Sequence, residues 1–288
     1  MMRILCLSDL AWGAKERGNS GTGRVTGASF LGLAENIGPD VVIFAGDSAY
    51  DRCSRSTPDE TDLFVNLLDR LVSAGIHCVV VEGNNDDSRG TYGRVRDAAE
   101  ASPYLHEISA KTETVRGIRF LGVPTGAERR MAGSVREPVD VVVAHAPTAN
   151  RTWLFDLPAA CIVTGHYGML VDEIAGKVYI ALDCSPSSYA VVDWKQGWRR
   201  IEYVAGACRI EMNREGGGSS VSGTGCDIAG FRRLKRGEGS LPYHEEIAAL
   251  RRAKSEAATL GRREVFERLL AMGIAKTHIE RYLGRRAG

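Results

Sequence analysis

Short runs of consecutive apolar residues recur along the first two thirds of the chain, each closed by glycine or polar residues. Eight of them read as strands: 3–8 (RILCLS), 40–45 (DVVIFA), 77–82 (HCVVVE), 118–123 (IRFLGV), 139–144 (VDVVVA), 160–164 (ACIVT), 177–182 (KVYIAL) and 189–194 (YAVVDW). Val/Ile-rich runs of this length suit strands buried on both faces. Between the early runs the apolar period lengthens to that of a helix. Residues 58–74 place Leu63, Val65, Leu67, Leu68 and Leu71 on one face. Thr57 can cap that helix, Pro58 fits its first turn, and acids sit near its start. Residues 24–36 and 92–101 read as two further helices.

The first half is therefore strand–helix–strand–helix–strand, the pattern of a layered α/β domain. From 118 to 205 strands dominate. That half could complete the same domain with parallel and antiparallel sheet, or form a small β domain of its own. Residues 215–225 (EGGGSSVSGTG) read as a flexible joint, because Gly and Ser dominate and nothing apolar repeats. Helical patterns return at 243–260, 262–271 and 275–283, interrupted by Gly261 and Gly273. The expected organisation is a domain over 1–212, a flexible basic linker over 213–240 and a helical basic tail over 241–288.

Composition sharpens this division. The 288 residues carry 37 Lys+Arg and 36 Asp+Glu, so the whole is nearly neutral. Residues 1–212 hold 22 basic and 27 acidic side chains, whereas 213–288 hold 15 and 9. The seven cysteines form no CxxC pair, and Cys6, Cys78 and Cys161 fall in or beside strand-like runs. This suits buried thiols in a reducing, cytoplasmic setting. No apolar run approaches a membrane span, and the start does not pattern as a signal peptide.

The chemistry gathers at strand ends. Asp9 follows the first strand, Asp47 the second and Asn84 the third; His145 closes the 139–144 run and His166 the 160–164 run. In open α/β sheets ligands bind outside the carboxyl ends of the strands. Gly46, Gly83 and Gly165 stand just before three of these residues, where a sharp turn or close approach is needed.

Gly46-Asp47, Gly83-Asn84-Asn85-Asp86, Ala144-His145-Ala146-Pro147 and Gly165-His166, with Asp9 after the first strand, together resemble the calcineurin-like metallophosphoesterase superfamily. The resemblance spans about residues 3–194. It implies a four-layer αββα sandwich, here with a small helical C-terminal extension, and two metal positions between the sheets. Carried over by motif, Asp9 is a ligand of the first metal and Asp47 bridges. Asn84, His145 and His166 hold the second, a donor set suited to Mn, Fe or Zn. This chain departs at the first position: Ala11 and Gly168 stand where the family has histidines. Asn85 replaces the histidine of the family's Asn-His-Asp element, leaving Asp9, Asn85 and Asp86 as the catalytic candidates.

The resemblance implies metal-dependent hydrolysis of phosphomonoesters or phosphodiesters, using a single or atypical metal site. The alternative is a catalytically impaired relative that binds a phosphorylated ligand, nucleic acid or a protein partner. Arg24, Arg89, Arg129 and Arg130, in predicted loops or at helix starts, are candidates for the substrate phosphate. Arg24 follows a Gly-rich stretch that lacks the Lys-Ser/Thr ending of a P-loop. Asp51, Asp86 and Asp87 are potential replacement ligands. The tail's basic residues, with a helix–break–helix pattern over 263–284, admit nucleic-acid contact; a solvated helical surface is the preferred reading of them. Expected partners are a phosphorylated small molecule or nucleic acid, and no membrane.

Overall fold

The computed structural model describes residues 1–12, 25–49, 58–86, 92–146, 152–166, 170–174, 176–183, 185–215, 218–224, 264–266 and 269. Contacts divide the chain into two compact units, Met1–Gly225 and Cys226–Gly288.

In the first unit the apolar runs form two mixed sheets. Strands β1 (Met2–Leu7), β2 (Val41–Ala45), β3 (His77–Val81) and β4 (Leu105–Glu107) run parallel. On the other side of β1 the same sheet continues antiparallel through β11 (Ser188–Trp194), β12 (Trp198–Ala205), β13 (Cys208–Glu215) and β14 (Gly218–Thr224). The second sheet has the order β5-β6-β7-β8-β10-β9. Its members are β5 (Thr112–Val115), β6 (Ile118–Val123), β7 (Val139–His145), β8 (Ala159–Gly165), β9 (Leu170–Ile174) and β10 (Lys177–Ala181).

Side-chain alternation turns these sheets into layers. Leu5, Leu7, Val42, Phe44 and Val80 face helices α1 (Gly27–Ile37), α2 (Pro58–Ser73) and α3 (Gly93–Ala101), where they meet Phe30, Phe64, Leu68 and Val95. Leu121, Val142, Ala144 and Ile162 meet Met131 of α4 (Glu128–Ser134) and Leu154 of α5 (Thr152–Phe155). The alternate positions, among them Cys6, Ile43, Val79, Val141, Val143 and Cys161, are fully buried on the opposite faces. There β2 meets β7 and β8, and β3 meets β6 and β7. The result is the expected αββα sandwich, with both halves of the patterned region in one unit.

The Gly/Ser stretch expected to be a flexible joint departs from its local pattern. Residues 218–224 pair antiparallel with β13, from Glu215 opposite Gly218 to Arg209 opposite Thr224. The sheet thus runs past the boundary expected at 212. A ladder partner outweighs the weak strand propensity of Gly and Ser. Strands β12 and β13 contain no long continuous apolar run, because buried and polar positions alternate along them. Trp198, Ile201, Tyr203, Ile210 and Met212 are buried, while Arg200 crosses to Glu211 at 3.1 Å on the polar face.

Of the second unit, 264–266 and 269 are helical, and Val265, Phe266 and Leu269 are buried. The other helical patterns of the tail, and residues 225–240 of the basic linker, lie outside the described residues. Among the described residues no helix is long and apolar enough to cross a membrane.

Phe64 of α2 is fully buried, with its ring edge-on to Phe44 of β2 at 5.1 Å. Truncation there removes a large side chain from the seam between helix and sheet. Phe64→Ala is expected to lower unfolding stability by about 3–5 kcal/mol in denaturant titrations. A loss below about 1 kcal/mol would contradict this packing.

Candidate metal centre

The carboxyl ends of β1, β2 and β3 in one sheet face those of β7 and β8 in the other, and hydrogen bonds stitch them together. The Asp9 amide donates to the Gly46 carbonyl at 3.1 Å, and the Leu10 amide donates to that of Asp47 at 3.0 Å. The Ser8 hydroxyl lies 2.9 Å from the Ala45 carbonyl and 2.5 Å from Asp9 Oδ2. Across the sheets, the His166 amide donates to Asp9 Oδ2 at 2.9 Å. His145 Nδ1 lies 2.8 Å from the Ala45 carbonyl. A carbonyl can only accept, so Nδ1 carries the hydrogen and Nε2 faces inward.

Inward is where the remaining donors meet. His145 Nε2 is 3.3 Å from Asp47 Oδ2 and 3.0 Å from His166 Nδ1. Asp47, His145 and His166 each offer a ligand atom, and these atoms all lie within 4.8 Å of one another. One carboxylate and two imidazoles at this spacing fit a single divalent transition ion. The Ala45 carbonyl behind His145 is the kind of outer partner that fixes a ligating imidazole.

Burial makes the electrostatics steep. Asp47 is 1% exposed and His145 is fully enclosed. Burial opposes the charged imidazolium of His145, but the Asp47 hydrogen bond and the Asp47 and Asp9 charges outweigh it, raising the group to about 9. For Asp47, burial pushes upward. The His145 hydrogen bond and charge and the two Asn85 donors prevail, holding it below its ordinary value. Asp9 is raised to about 6, chiefly by burial, with the neighbouring Asp47 charge adding to the rise.

Three of these residues occupy the left-handed region: Asp9 (φ 51°), Asp47 (φ 49°) and His166 (φ 81°). Such conformations cost on the order of 1–3 kcal/mol each for residues with a Cβ and cluster at functional sites. Glycine makes the approach possible at two points. A Cβ on Gly165 would overlap the Ser8 hydroxyl and the Ala45 carbonyl, and one on Gly83 would overlap the Asp47 carboxylate.

The residues singled out from sequence separate into distinct places. Asp47, His145 and His166 form the cluster, and Asp9 stands beside it, tied to His166. Asn84 is exposed in the bend after β3, whereas Asn85 donates to both Asp47 oxygens. Asp86 is buried and commits its carboxylate to the backbone, accepting from the Ala49 amide at 3.0 Å and the Gly83 amide at 2.8 Å. Burial and the Asp47 charge raise it to about 7. Ala11 is buried where the family pattern has a histidine, between Leu10 and Trp12. The Trp12 indole donates to the Ser48 carbonyl at 3.0 Å and packs on Phe30. Arg129 and Arg130 are exposed at the start of α4, and the Arg129 guanidinium lies 5.5 Å from the centre of the Trp153 ring. Arg24, Arg89, Asp51, Asp87 and Gly168 lie outside the described residues.

Two supporting residues carried no signal in sequence. Ser8 is one serine among many until the fold places its hydroxyl between Asp9 and Ala45. Thr125 anchors the loop after β6 by donating to the His145 carbonyl at 2.7 Å; only the pairing of β6 with β7 brings the two together.

Comparison with known proteins agrees with this architecture. The family model described as calcineurin-like phosphoesterase matches residues 2–169. The chain belongs to the calcineurin-like phosphoesterase family. No curated protein matches the sequence. One solved structure, 14% identical, aligns over 71% of this chain and 99% of its own with a TM-score of 0.53, and it shows the same fold. The protein TT1561 of Thermus thermophilus aligns at 13% identity over 67% of this chain and 94% of its own, TM-score 0.47. An archaeal phosphodiesterase aligns at 12% over 70% and 100%, TM-score 0.40.

A divalent ion must compete with the proton on His145 Nε2. The metal-free group holds that proton below about pH 9, so metal uptake releases it. Apparent Mn2+ affinity is therefore expected to rise between about pH 6.5 and 8.5, by up to about tenfold per pH unit. Calorimetry in buffers of different ionisation enthalpy would detect the released proton. A flat affinity across that range would contradict the assignment.

Proposed function

We propose that the protein is a metal-dependent phosphoester hydrolase that works with a single divalent ion, Mn, Fe or Zn, held by Asp47, His145 and His166. The observation that carries this reading is the convergence of those three donors within 4.8 Å at the facing ends of two sheets. The bound ion supplies Lewis-acid polarisation of a phosphoryl oxygen. The chain's own residues do the rest. His145 keeps its proton on Nδ1, against the Ala45 carbonyl, and leaves Nε2 as a donor atom. Asp9 ties the His166 amide to the first sheet. With a pKa of about 6, its carboxyl is also suited to accept a proton from an attacking water near neutral pH. Asp86 holds the Gly83 and Ala49 amides, and so the two loops that flank Asp47.

The single-ion reading draws support from the neighbourhood of Asp9. Its Oδ2 is already engaged by the Ser8 hydroxyl and the His166 amide, and Ala11 buries a methyl group where a further imidazole would be required. Those same observations favour the second reading, an impaired relative that binds a phosphorylated ligand without turning it over. Candidate substrates are phosphorylated small molecules and nucleic acids. Exposed Arg129, whose guanidinium lies beside the Trp153 ring, is a candidate cation for a substrate phosphate. The buried free thiols Cys6, Cys78 and Cys161 fit the reducing cytoplasm expected from the sequence.

Chelated protein reloaded with Mn2+ is expected to hydrolyse p-nitrophenyl phosphate or bis-p-nitrophenyl phosphate. His166→Ala is expected to lose at least about a hundredfold in rate. Metal uptake without turnover of either ester would favour the binding protein. Failure to take up any divalent ion would overturn the metal-dependent reading.

A further inference from the structure

β4 and β5 are the terminal strands of the two sheets, and the chain crosses from one sheet to the other between them. Beside that crossing, three titratable side chains stand in line. Glu113 Oε1 of β5 lies 2.5 Å from His106 Nδ1 of β4. His106 Nε2 lies 3.0 Å from Nδ1 of His77, the first residue of β3. The two imidazole planes are within 17° of parallel and their centres are 5.3 Å apart. Rings in contact at 3.0 Å can stand that far apart only when they meet nitrogen to nitrogen. The pair is an in-line hydrogen bond rather than a face-to-face stack.

We propose that Glu113, His106 and His77 form a proton-gated latch between the edges of the two sheets, which stays closed until both imidazoles carry a charge. An ionised carboxylate can only accept, so His106 Nδ1 carries a hydrogen and, in the neutral ring, Nε2 offers a lone pair. His77 Nδ1 then donates to it. A first extra proton leaves the latch closed. On His77 it goes to Nε2, away from the contact; on His106 it goes to Nε2, and His77 reverses to accept. The second proton puts N–H groups on both facing nitrogens and a positive charge on each ring. Neither nitrogen can accept, and the contact opens.

The groups packed around the pair set the order of charging. Glu113 favours the first charge on His106, and Lys111 Nζ stands 3.8 Å from the other Glu113 oxygen. Around His77 lie the Tyr104 ring, 4.7 Å away between centres, Arg116 from the turn between β5 and β6, and Asp40. The Asp40 carbonyl accepts from the His77 amide, while its carboxylate is turned to Arg116 at 3.7 Å and to the Arg3 amide at 2.8 Å. Burial first, then the His106 charge and Arg116, hold His77 below its ordinary value. Protons reach His106 from an open cleft of about 360 Å3, whose other ionisable walls are Arg96, Glu100, Glu107, Lys111 and Glu113. The folded chain binds the His77 proton less tightly than the unfolded chain. The latch therefore contributes fully above the ordinary imidazole value of 6.5 and is lost as pH falls through the lowered one.

The test is hydrogen exchange of the full chain, read by mass spectrometry between about pH 7.5 and 5 and corrected for intrinsic exchange rates. Amides over 104–116 are expected to lose protection below about pH 6, by up to about tenfold per pH unit, the limit for uptake of one proton. His77→Gln keeps a donor toward His106 and cannot be charged, so its protection over 104–116 is expected to stay flat. Asp9 and Asp86 titrate in the same range but are unchanged in that variant, so the difference isolates the latch. NMR titration of the wild type adds a readout that needs no substitution. The His77 ring is expected to titrate below the ordinary imidazole value and to sense an earlier step as His106 charges. Protection over 104–116 that ignores pH in the wild type would overturn the proposal. So would an equal loss in His77→Gln, or a His77 titration at or above the ordinary value.

Discussion

A carboxylate buried between two sheets has to be paired, and the Asp47 carboxylate sets the terms for everything around it. Stripping an ion of its water costs several kcal/mol even after relaxation. For Asp47 that cost is offset by His145, which comes from the opposite sheet, and by the two Asn85 donors on its own side. The pairing therefore locks the sheets in register at their functional end. Breaking one partner leaves an uncompensated charge in a low dielectric, which is far more damaging than never having built the pair.

The rest of the centre follows from this constraint. The strands beneath are stiff, buried on both faces and filled by Val, Ile and Leu, so they fix where each loop begins. The residues just past the strand ends then take up strained backbone, at Asp9, Asp47 and His166, to turn their side chains inward. Backbone amides and carbonyls at the same positions cross-link the loops, from Leu10 to Asp47 and from His166 to Asp9. The strain is tolerated because the sandwich underneath is heavily packed. The layout yields a small cluster of three convergent candidate donors, two of them buried and His166 partly so, on rigid supports, as a pre-organised metal centre requires.

Legibility in the sequence tracks how local each cause is. Strands β1, β2, β3, β6, β7 and β8 are visible because burial on both faces demands uninterrupted apolar runs. Strands β12 and β13 carry only an alternating signal, and β14 is built of Gly, Ser and Thr around one Val, so its ladder partner rather than its own composition makes it a strand. The three residues of the candidate cluster, Asp47, His145 and His166, could be read from their position after strands and from the family motifs. Their neighbours could not. Asn85 donates to both Asp47 oxygens, a contact that only the turn after β3 sets. Asp86 looks like a candidate for chemistry, yet its carboxylate is taken up by two backbone amides. Arg129 lies beside the Trp153 ring, a pairing that depends on α4 and α5 meeting outside the second sheet.

Whether Asp47, His145 and His166 hold one divalent ion between the sheet ends is tested most directly by anomalous diffraction at the manganese edge, from crystals grown with Mn2+. One strong peak within bonding distance of Asp47, His145 Nε2 and His166, with no second peak beside Asp9, is the predicted result. Two peaks bridged by Asp47, or a single peak away from the three donors, would contradict it.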